Sequence, residues 1–374
     1  MGKWHLTRPR EAPTHPLDAG YDWYAGAMHN LGREIEKGGY THWVKYVNGV
    51  PHVERNYATT DTADDAVARA AAMTPPWFLY VAFNAIHTPL HDPPQSLCAQ
   101  VECQRFGCPT PAGSAERSRH MLETLDVVLE DMIERLRQID PNVIVFLVGD
   151  NGTSPASAPP KPNRAKGTMY EGGVHVPLIV AGGGVRQGEC DALVGTVDLL
   201  ATISDLAGTP HTTADSVSFA PLLFDERASP PRRTLYAERF VPNFDWRRPV
   251  SLRAHARAIR NRRFKLIYRT GRYGSTFELY DLKLDPGETE NLYPPLGGRP
   301  EKAFQKLFDE LSRMGVVCEG DANDDGQVSL ADLSIVITNL GVVNATRADG
   351  DADGDGDVDA SDLAIVLSRL DLPC

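Results

Sequence analysis

Two matching acidic segments near the C-terminus constrain the fold of this chain more than any other feature of its sequence. One begins at Asp321 and the other at Asp351, and each places oxygen-bearing side chains at positions 1, 3, 5, 9 and 12, with glycine at position 6. A hard cation such as Ca²⁺ binds about six to eight oxygens, and the glycine permits the sharp turn between ligands. An apolar run suited to a helix follows each segment, at 333–340 and 363–370. The pattern favours two calcium loops over an acidic disordered tail.

The two loops together supply twelve predicted ligands. Position 7 binds the cation through its backbone carbonyl, so the side chain there is unconstrained. The residues are Asp321, Asn323, Asp325, Gln327, Ser329 and Asp332 in the first loop, and Asp351, Asp353, Asp355, Asp357, Asp359 and Asp362 in the second. Residues 319–374 carry 13 acidic and 2 basic side chains, which accounts for nearly all of the net charge of −12. That balance argues against nucleic-acid binding.

The loops differ from ordinary EF-hands, which have Glu at position 12 and a helix before each loop. Residues 318–374 instead resemble a type I dockerin, a tandem calcium-loop module of secreted bacterial enzymes that degrade polysaccharides. The resemblance implies two bound Ca²⁺ ions and a cohesin-like protein partner. Positions 10 and 11, which contact cohesins in dockerins, are Leu330-Ala331 and Ala360-Ser361 instead of the common Ser-Thr pair. Whether a cohesin is the partner therefore stays open.

The main body of the chain alternates strand-like and helix-like segments. Short apolar runs bounded by turn residues predict strands buried on both faces, and apolar residues spaced by three and four predict amphipathic helices. The runs lie at 77–83, 143–148 and 176–181, and the helices at 114–139 and 194–207. This order predicts an α/β fold with a mostly parallel sheet flanked by helices.

A different pattern follows in the sequence. Shorter alternating runs between about 235 and 293 predict a small antiparallel sheet, and a helix is expected at 300–314. We therefore expect three parts: an α/β domain at 1–234, an antiparallel subdomain at 235–317, and a small all-α calcium-loop domain at 318–374.

Polar residues that follow the predicted strands are the first candidates for a site, since ligands of open α/β sheets bind at the carboxyl ends of strands. Asp150 and Asn151 are adjacent oxygen donors suited to Ca²⁺ or Mg²⁺, although Asp-Asn-Gly is also an ordinary turn sequence. His87 taken alone is more often structural than catalytic. Lys166 lies in a glycine-bearing loop, where a lone lysine is usually just solvated.

Four motifs in a fixed order carry a stronger signal than these single residues. They are Gly2-Lys3-Trp4-His5, Ala85-Ile86-His87-Thr88-Pro89, Gly149-Asp150-Asn151-Gly152, and the segment from Lys166 to Pro177 that contains Tyr170-Glu171-Gly172-Gly173. Their order resembles the formylglycine-dependent sulfatases, which belong to the alkaline-phosphatase-like superfamily. Flanking segments at 18–26 and 278–292 extend the resemblance from residue 2 to about residue 293.

The resemblance implies a role for each residue in sulfate-ester hydrolysis. Lys3 would neutralise charge beside the nucleophile, and His5 would serve as a base. His87 would contact the sulfate and help to protonate the leaving oxygen, while Lys166 would hold a sulfate oxygen. Asp150 and Asn151 would contribute to one active-site Ca²⁺. Cations suit a transferring sulfuryl group because its oxygens share negative charge, and histidine suits proton transfer near neutral pH.

The nucleophile of the family is missing. The formylglycine motif C/S-x-P-S-x-R does not occur in the sequence, and neither do the paired acidic metal ligands of the family's first strand. Both belong upstream of Lys3, so we expect the full-length protein to begin before Met1. We also expect it to carry a signal peptide, which is absent here, and to be extracellular or periplasmic.

These observations favour a sulfatase that acts on a sulfated carbohydrate or polysaccharide. One alternative is a catalytically inactive, truncated remnant whose working part is the calcium module. The second is a phosphoesterase of the same superfamily, which the Lys3 and Lys166 motifs disfavour. No apolar run approaches the roughly 20 residues of a membrane helix.

Six cysteines are also present. Cys98, Cys103 and Cys108 are spaced by five residues, which is not a C-x₂-C zinc spacing and favours a small disulfide-bearing insertion over free thiols. One of the three would pair elsewhere, with Cys190 as an option, or stay free. Cys318 and Cys374 bracket the calcium module and could form a clasp disulfide, in keeping with an oxidising compartment.

Overall fold

Two compact units make up the chain, and each is described by itself. The first comprises Met1–Leu147, Ala156–Pro162 and Leu178–Val185, and the second comprises Val148–Pro155, Asn163–Pro177 and Arg186–Cys374. The computed structural model describes residues 1–7, 12–32, 38–98, 113–157, 162–211, 213–241, 254–271, 274–314, 320–323 and 328–370.

The first unit contains helices α1 to α4 and strands β1 to β5. The helices are His15–Asp18, Ala58–Ala71, Gln95–Cys98 and Ser114–Ile139, and the strands are Ala25–Gly26, Trp43–Val47, Val50–Glu54, Ile144–Val148 and Leu178–Gly182. Strands β1, β2 and β3 form an antiparallel sheet, and β4 pairs with β5. The helix predicted at 114–139 is confirmed with the same bounds, and the strands predicted near 143–148 and 176–181 are confirmed as β4 and β5.

Helices α2 and α4 pack against each other through small and branched side chains. Ala63, Ala66 and Ala70 of α2 meet Val128 and Met132 of α4 in one buried cluster. Alanines let the two helix axes approach closely, because their side chains end at Cβ. This cluster forms much of the core of the first unit.

The strand predicted at 77–83 is wrong. The segment makes a single parallel bridge, between Ala82 and Gly2, and is otherwise irregular. Trp77, Leu79, Val81 and Phe83 pack against the α2–α4 cluster, whereas Phe78 and Tyr80 are each 54% exposed. Burial on both faces was also wrong for β4 and β5, where Leu147 and Ile179 are exposed.

The second unit contains helices α5 to α8 and strands β6 to β9. The helices are Glu171–Val174, Asp198–Leu206, Ala220–Phe224 and Gly298–Arg313. The strands are Leu235–Val241, Ala254–Arg260, Phe264–Gly271 and Gly274–Asp281, and they form an antiparallel sheet in chain order, as expected. The helix expected at 194–207 begins later, since the buried Asp198 carboxylate accepts a hydrogen bond from the Gly195 amide (2.8 Å) and holds the preceding residues in a turn.

The antiparallel sheet is covered on both faces. On one face, Leu266 and Tyr268 of β8 pack against Phe304 and Leu307 of α8. On the other face, Ile267 packs against Met169 and other residues of the segment that carries Lys166. Residues 264–268 of β8 are therefore buried without a break. This layering seats the Lys166 loop directly on the sheet.

The calcium module follows with helices α9 (Leu330–Asn339) and α10 (Ala360–Arg369). Each begins three residues before the predicted apolar run, because Ser329 and Asp359 cap the helix N-termini in capping boxes with the aspartate three residues later. Val336 and Val366 join the two helices in one core. No described helix of the chain has the length and apolar character needed to cross a membrane.

The second calcium loop contacts helix α8. Gly354 has φ +76°, and a Cβ placed there would lie 2.6 Å from Cε1 of Phe304. We predict that Gly354→Ala lowers the free energy of unfolding by about 1–3 kcal/mol, because added core atoms must displace the ring. Gly341→Ala is the matched control, since Gly341 also has a positive φ (+89°) but nothing lies within 4 Å of its Cβ position. Equal loss of stability in the two variants, measured by thermal denaturation of the chain, would contradict the predicted contact.

Candidate functional site

Lys3 and His5 lie on the N-terminal segment, which the first unit holds by backbone hydrogen bonds. The Lys3 amide donates to the carbonyl of Ala82 (2.8 Å), and the His5 amide donates to that of Met28 (3.0 Å). His5 is exposed, has φ +55°, and its ring centroid lies 5.4 Å from that of His29. A positive φ is uncommon for a residue with a Cβ. The backbone hydrogen bonds of the N-terminal segment hold His5 in this conformation.

His87 follows the segment that pairs with Lys3, and its loop is fixed by a buried tyrosine. The Tyr40 hydroxyl lies 2.7 Å from the Asn84 carbonyl oxygen and 2.8 Å from the His87 carbonyl oxygen, and donates its proton between them. The Nδ1 atom of His87 lies 3.0 Å from the carbonyl oxygen of Thr88. The hydroxyl of Thr88 also lies 3.2 Å from Nδ1, so both contacts engage Nδ1 and leave Nε2 as the ring atom able to exchange a proton with a ligand.

Asp150, Asn151 and Lys166 are brought to one region of the second unit. The Lys166 amide donates to the Thr153 carbonyl (2.8 Å), and the Gly152 amide donates to the Gly173 carbonyl (3.2 Å). Gly152 is required by this approach, since a Cβ there would lie 2.1 Å from the carbonyl oxygen of Gly172. Asp150, Asn151 and Lys166 are all exposed.

Asp150 and Asn151 fit only part of an active-site calcium site. The Asn151 Nδ2 donates to the Gly152 carbonyl (3.1 Å), which leaves Oδ1 as the amide atom able to bind a cation. The pair offers two side-chain oxygens, against the six to eight or so that Ca²⁺ prefers. In the part of the chain that the structure describes, no His, Cys, Asp or Glu completes a group of three with Asp150.

A charge cluster lies between the Lys166 segment and the antiparallel sheet, with Lys265 and Glu288 buried and His175 exposed. We define it as Glu171, His175, Arg260, Lys265 and Glu288. Glu171 accepts hydrogen bonds from Lys265 and Arg260, both at 2.8 Å, and lies 3.0 Å from Nδ1 of His175. Burial acts to raise the pKa of Glu171, but the neighbouring cations outweigh it and lower the pKa to about 2. Sequence reasoning missed Lys265, Arg260 and Tyr40, although Glu171 and Glu288 stood in recognised motifs.

The second calcium loop assembles its predicted ligands. Ligand oxygens of Asp351, Asp353 and Asp355 lie within 4.8 Å of one another, as do those of Asp357, Asp359 and Asp362. Asp351 and Asp362 are almost fully buried and shape the loop. Asp351 accepts from the Gly354 amide (2.7 Å), and Asp362 accepts from the Asp359 amide (2.7 Å).

The electrostatics of the second loop fit a divalent cation. Burial and the charge of Asp362 raise the pKa of Asp351 to about 8, and burial with Asp362 and Asp355 raises that of Asp353 to about 6. Carboxylates that repel one another in this way are stabilised when a cation binds among them. The residues present therefore fit Ca²⁺.

The described part of the first calcium loop has the same buried aspartates at positions 1 and 12. Asp321 and Asp332 are buried, and Asp332 accepts from the amides of Asn323 (3.1 Å) and Ser329 (2.8 Å). The predicted ligands Asp325 and Gln327 lie outside the described residues.

The predicted cysteine pairings are tested only at Cys190. It is exposed and carries a free thiol, so the option that one of the three spaced cysteines pairs with Cys190 is wrong, while the option that one of them stays free is untested. The side chain of Cys98 and the other four cysteines, Cys103, Cys108, Cys318 and Cys374, lie outside the described part of the chain.

Comparison with known families gives three matches. Residues 1–209 match the sulfatase family, residues 164–314 match the C-terminal region of N-sulphoglucosamine sulphohydrolase, and residues 319–371 match the dockerin type I domain. These three stretches together cover nearly the whole chain.

Curated relatives include arylsulfatase A of Homo sapiens, 28% identical over 287 residues that make up 69% of this chain and 52% of that protein. A sulfatase of Formosa agariphila is 30% identical over 62% of this chain and 45% of its own length. The delta 4,5-hexuronate-2-O-sulfatase of Bacteroides thetaiotaomicron is 33% identical over 40% of this chain and 30% of its own length. The chain thus spans about half the length, or less, of these relatives.

Solved structures show the same fold. BT4656 in complex with its substrate D-glucosamine-2-N,6-O-disulfate aligns with a TM-score of 0.57 at 18% identity, over 87% of this chain and 80% of that one. A putative sulfatase from Bacteroides fragilis aligns with a TM-score of 0.59 at 16% identity, over 84% and 74% of the two chains. The mixed α/β fold with its antiparallel subdomain is confirmed.

The raised pKa values of the second loop predict how calcium stabilisation depends on pH. A carboxyl whose folded pKa exceeds its unfolded value stabilises the folded state at low pH, and that contribution is lost as pH rises. For Asp351, this loss of stability extends from about pH 4, near the ordinary pKa of aspartate, to about pH 8, its pKa in the folded loop. Calcium removes the penalty, so the gain in melting temperature over a chelated sample should grow from pH 5 to pH 8. A gain independent of pH would contradict the ligand assignment of Asp351.

Both loops should lose calcium together when their first ligands are removed. We predict that the double variant Asp321→Ala, Asp351→Ala binds no Ca²⁺ in titration calorimetry, and that chelation of the wild type lowers its helicity by circular dichroism, since metal binding is coupled to folding. Each single variant should retain one ion. Retained binding in the double variant would show that other residues are the ligands.

Proposed function

Because the chain belongs to the sulfatase family, we propose that this protein hydrolyses a sulfate ester on a carbohydrate. The observation that supports the proposal is the backbone hydrogen bond from Lys166 to Thr153, which joins the Lys166 segment to the segment that carries Asp150 and Asn151. The reaction also requires a nucleophile, and residues 1–374 contain no formylglycine motif.

The residues of this chain would stabilise the negative charge of the reacting sulfate group and transfer protons to and from it. Lys3 and Lys166 would bind sulfate oxygens and stabilise the negative charge that they share in the transition state. His87 would give a proton from Nε2 to the leaving oxygen, a task for which its Nδ1 contact with Thr88 sets the ring orientation. His5 would accept a proton. Asp150 and Asn151 would hold Ca²⁺, which supplies further electrostatic stabilisation when bound.

A carbohydrate substrate is supported by association. Support comes from the dockerin type I match, from the related delta 4,5-hexuronate-2-O-sulfatase, and from the structural neighbour BT4656, whose substrate is a disulfated glucosamine. Sulfatases and dockerins are generally calcium-binding. We place the protein outside the cell or in the periplasm.

The calcium module would bind a cohesin-like protein. Leu330, Ile337 and Leu367 stand exposed on α9 and α10, with 53–69% of each side chain accessible. A contiguous patch of such side chains would suit a protein partner.

Activity tests the proposal directly. We predict that the full reading frame, including any sequence upstream of Met1, hydrolyses an aryl sulfate faster than the matched aryl phosphate. Lys166→Ala should lower kcat/KM by about 10²–10³-fold, the usual loss when one charge-stabilising group is removed. Lys306→Ala, which removes an exposed lysine of α8, should leave it unchanged.

Two outcomes would overturn the proposal. Preference for the phosphate would identify a phosphoesterase. A reading frame that lacks a nucleophile motif and turns over neither ester would leave calcium-dependent binding as the working activity.

A further inference from the structure

We propose that Lys265 and Glu288 are positioning residues, which hold the Lys166 loop and the Asp150-Asn151 turn in place through Glu171. The proposal deepens the proposed function and rests on it only for the role of Lys166. The proposal also gives a role to Glu288, which lies in the flanking segment 278–292 of the family resemblance.

Lys265 cannot act on a ligand directly because it is 1% exposed. Its Nζ donates to Oε1 of Glu171 (2.8 Å) and to Oε1 of Glu288 (2.9 Å). It stands on the face of the sheet that packs against the Lys166 segment. One ammonium group therefore joins a sheet strand to two carboxylates from other parts of the chain.

Glu288 also binds the backbone of the Lys166 segment. Its Oε2 accepts a hydrogen bond from the amide of Glu171 at 2.6 Å. Glu288 is 2% exposed and has φ +53°, a conformation that costs energy in a residue with a Cβ. The turn is built to permit it, because the Asp285 carboxylate accepts from the amide of Glu290 at 2.8 Å.

Backbone hydrogen bonds connect the helix that begins at Glu171 to the segments that carry Asn151 and Lys166. Glu171 begins the helix α5, two residues before Gly173, whose carbonyl accepts from the Gly152 amide. Gly152 adjoins Asn151, and the Lys166 amide binds the carbonyl of Thr153, the next residue. Displacement of Glu171 would therefore move both halves of the site region together.

The balance of charge makes Lys265 the critical member of the cluster. Without its ammonium group, Glu171 and Glu288 would face each other as buried carboxylates, with Arg260 as the remaining permanent cation on Glu171. Breaking a buried ion pair is strongly unfavourable because it leaves a charge without compensation. The segment would relieve this repulsion by moving Glu171 away from Glu288.

A second anchor on the same sheet acts beside the cluster. The Tyr170 hydroxyl donates to Glu278 (2.7 Å), which also accepts from Arg269 (2.8 Å). This anchor keeps the Lys166 segment on the sheet when the cluster is weakened, so the variants below should remain folded.

Hydrogen exchange of individual amides tests the proposal without any substrate. In Lys265→Met, the amides of Gly152 and Lys166 should exchange at least tenfold faster than in the wild type, while Lys265→Arg should restore most of the protection. The matched control is Arg263→Met. Arg263 directly precedes β8 and forms its ion pair with Asp281 at 2.6 Å, whereas Lys265 pairs with Glu171 and Glu288.

Unchanged exchange at Gly152 and Lys166 in a folded Lys265→Met variant would overturn the proposal, as would equal acceleration in Arg263→Met. Glu288→Gln provides a second test if Lys265→Met fails to fold. It removes the charge but retains an oxygen for the Glu171 amide, so we expect a smaller acceleration at the same two amides, and none would count against the proposal. Since the readout needs no turnover, its failure is distinguishable from failure of the sulfatase assay.

Discussion

The ammonium group of Lys265 is the buried charged contact that ties the Lys166 segment to the antiparallel sheet. It joins a strand of the antiparallel sheet to carboxylates that are 94 and 23 residues away in sequence. Such a buried contact is favourable only if every charge finds a partner, so the surrounding segments have one arrangement in which it can form. The sheet is thereby fixed on one face by the apolar packing of α8 and on the other by paired charges.

The parts of the fold that could be predicted from sequence are those whose signal is local. Helix α4 was predicted to the residue because its apolar spacing repeats over 26 residues. The segment 77–83 was not, because apolar composition alone does not show which partner a strand will pair with. The start of α6 was misjudged for a similar reason, since the buried Asp198 binds residues before and after the helix as well as Arg232.

The calcium loops and the charge cluster differ in the same way, because the first are local in sequence and the second is not. Each calcium loop brings all of its ligands within 12 residues, so the sequence displays the ligand set directly. The charge cluster draws on residues from three distant segments. Lys265 lies in a run of five buried residues, a pattern that alternation does not predict and that arises because β8 is covered on both faces. Tyr40 was missed likewise, since it acts on a loop 44 residues away.

Carboxylates are buried in both the charge cluster and the second calcium loop, with opposite consequences. In the cluster, the cations of this chain overcome the effect of burial and lower the pKa of Glu171 to about 2. In the loop, burial and neighbouring aspartates raise the pKa of Asp351 to about 8, because no described cation of the chain enters an ion pair with it. The cluster is thus complete in itself, whereas the loop reaches its favoured charge state only when a cation is supplied. We therefore expect a bound cation to stabilise the loop, whereas the charge cluster holds the Lys166 segment with charged groups of the chain itself.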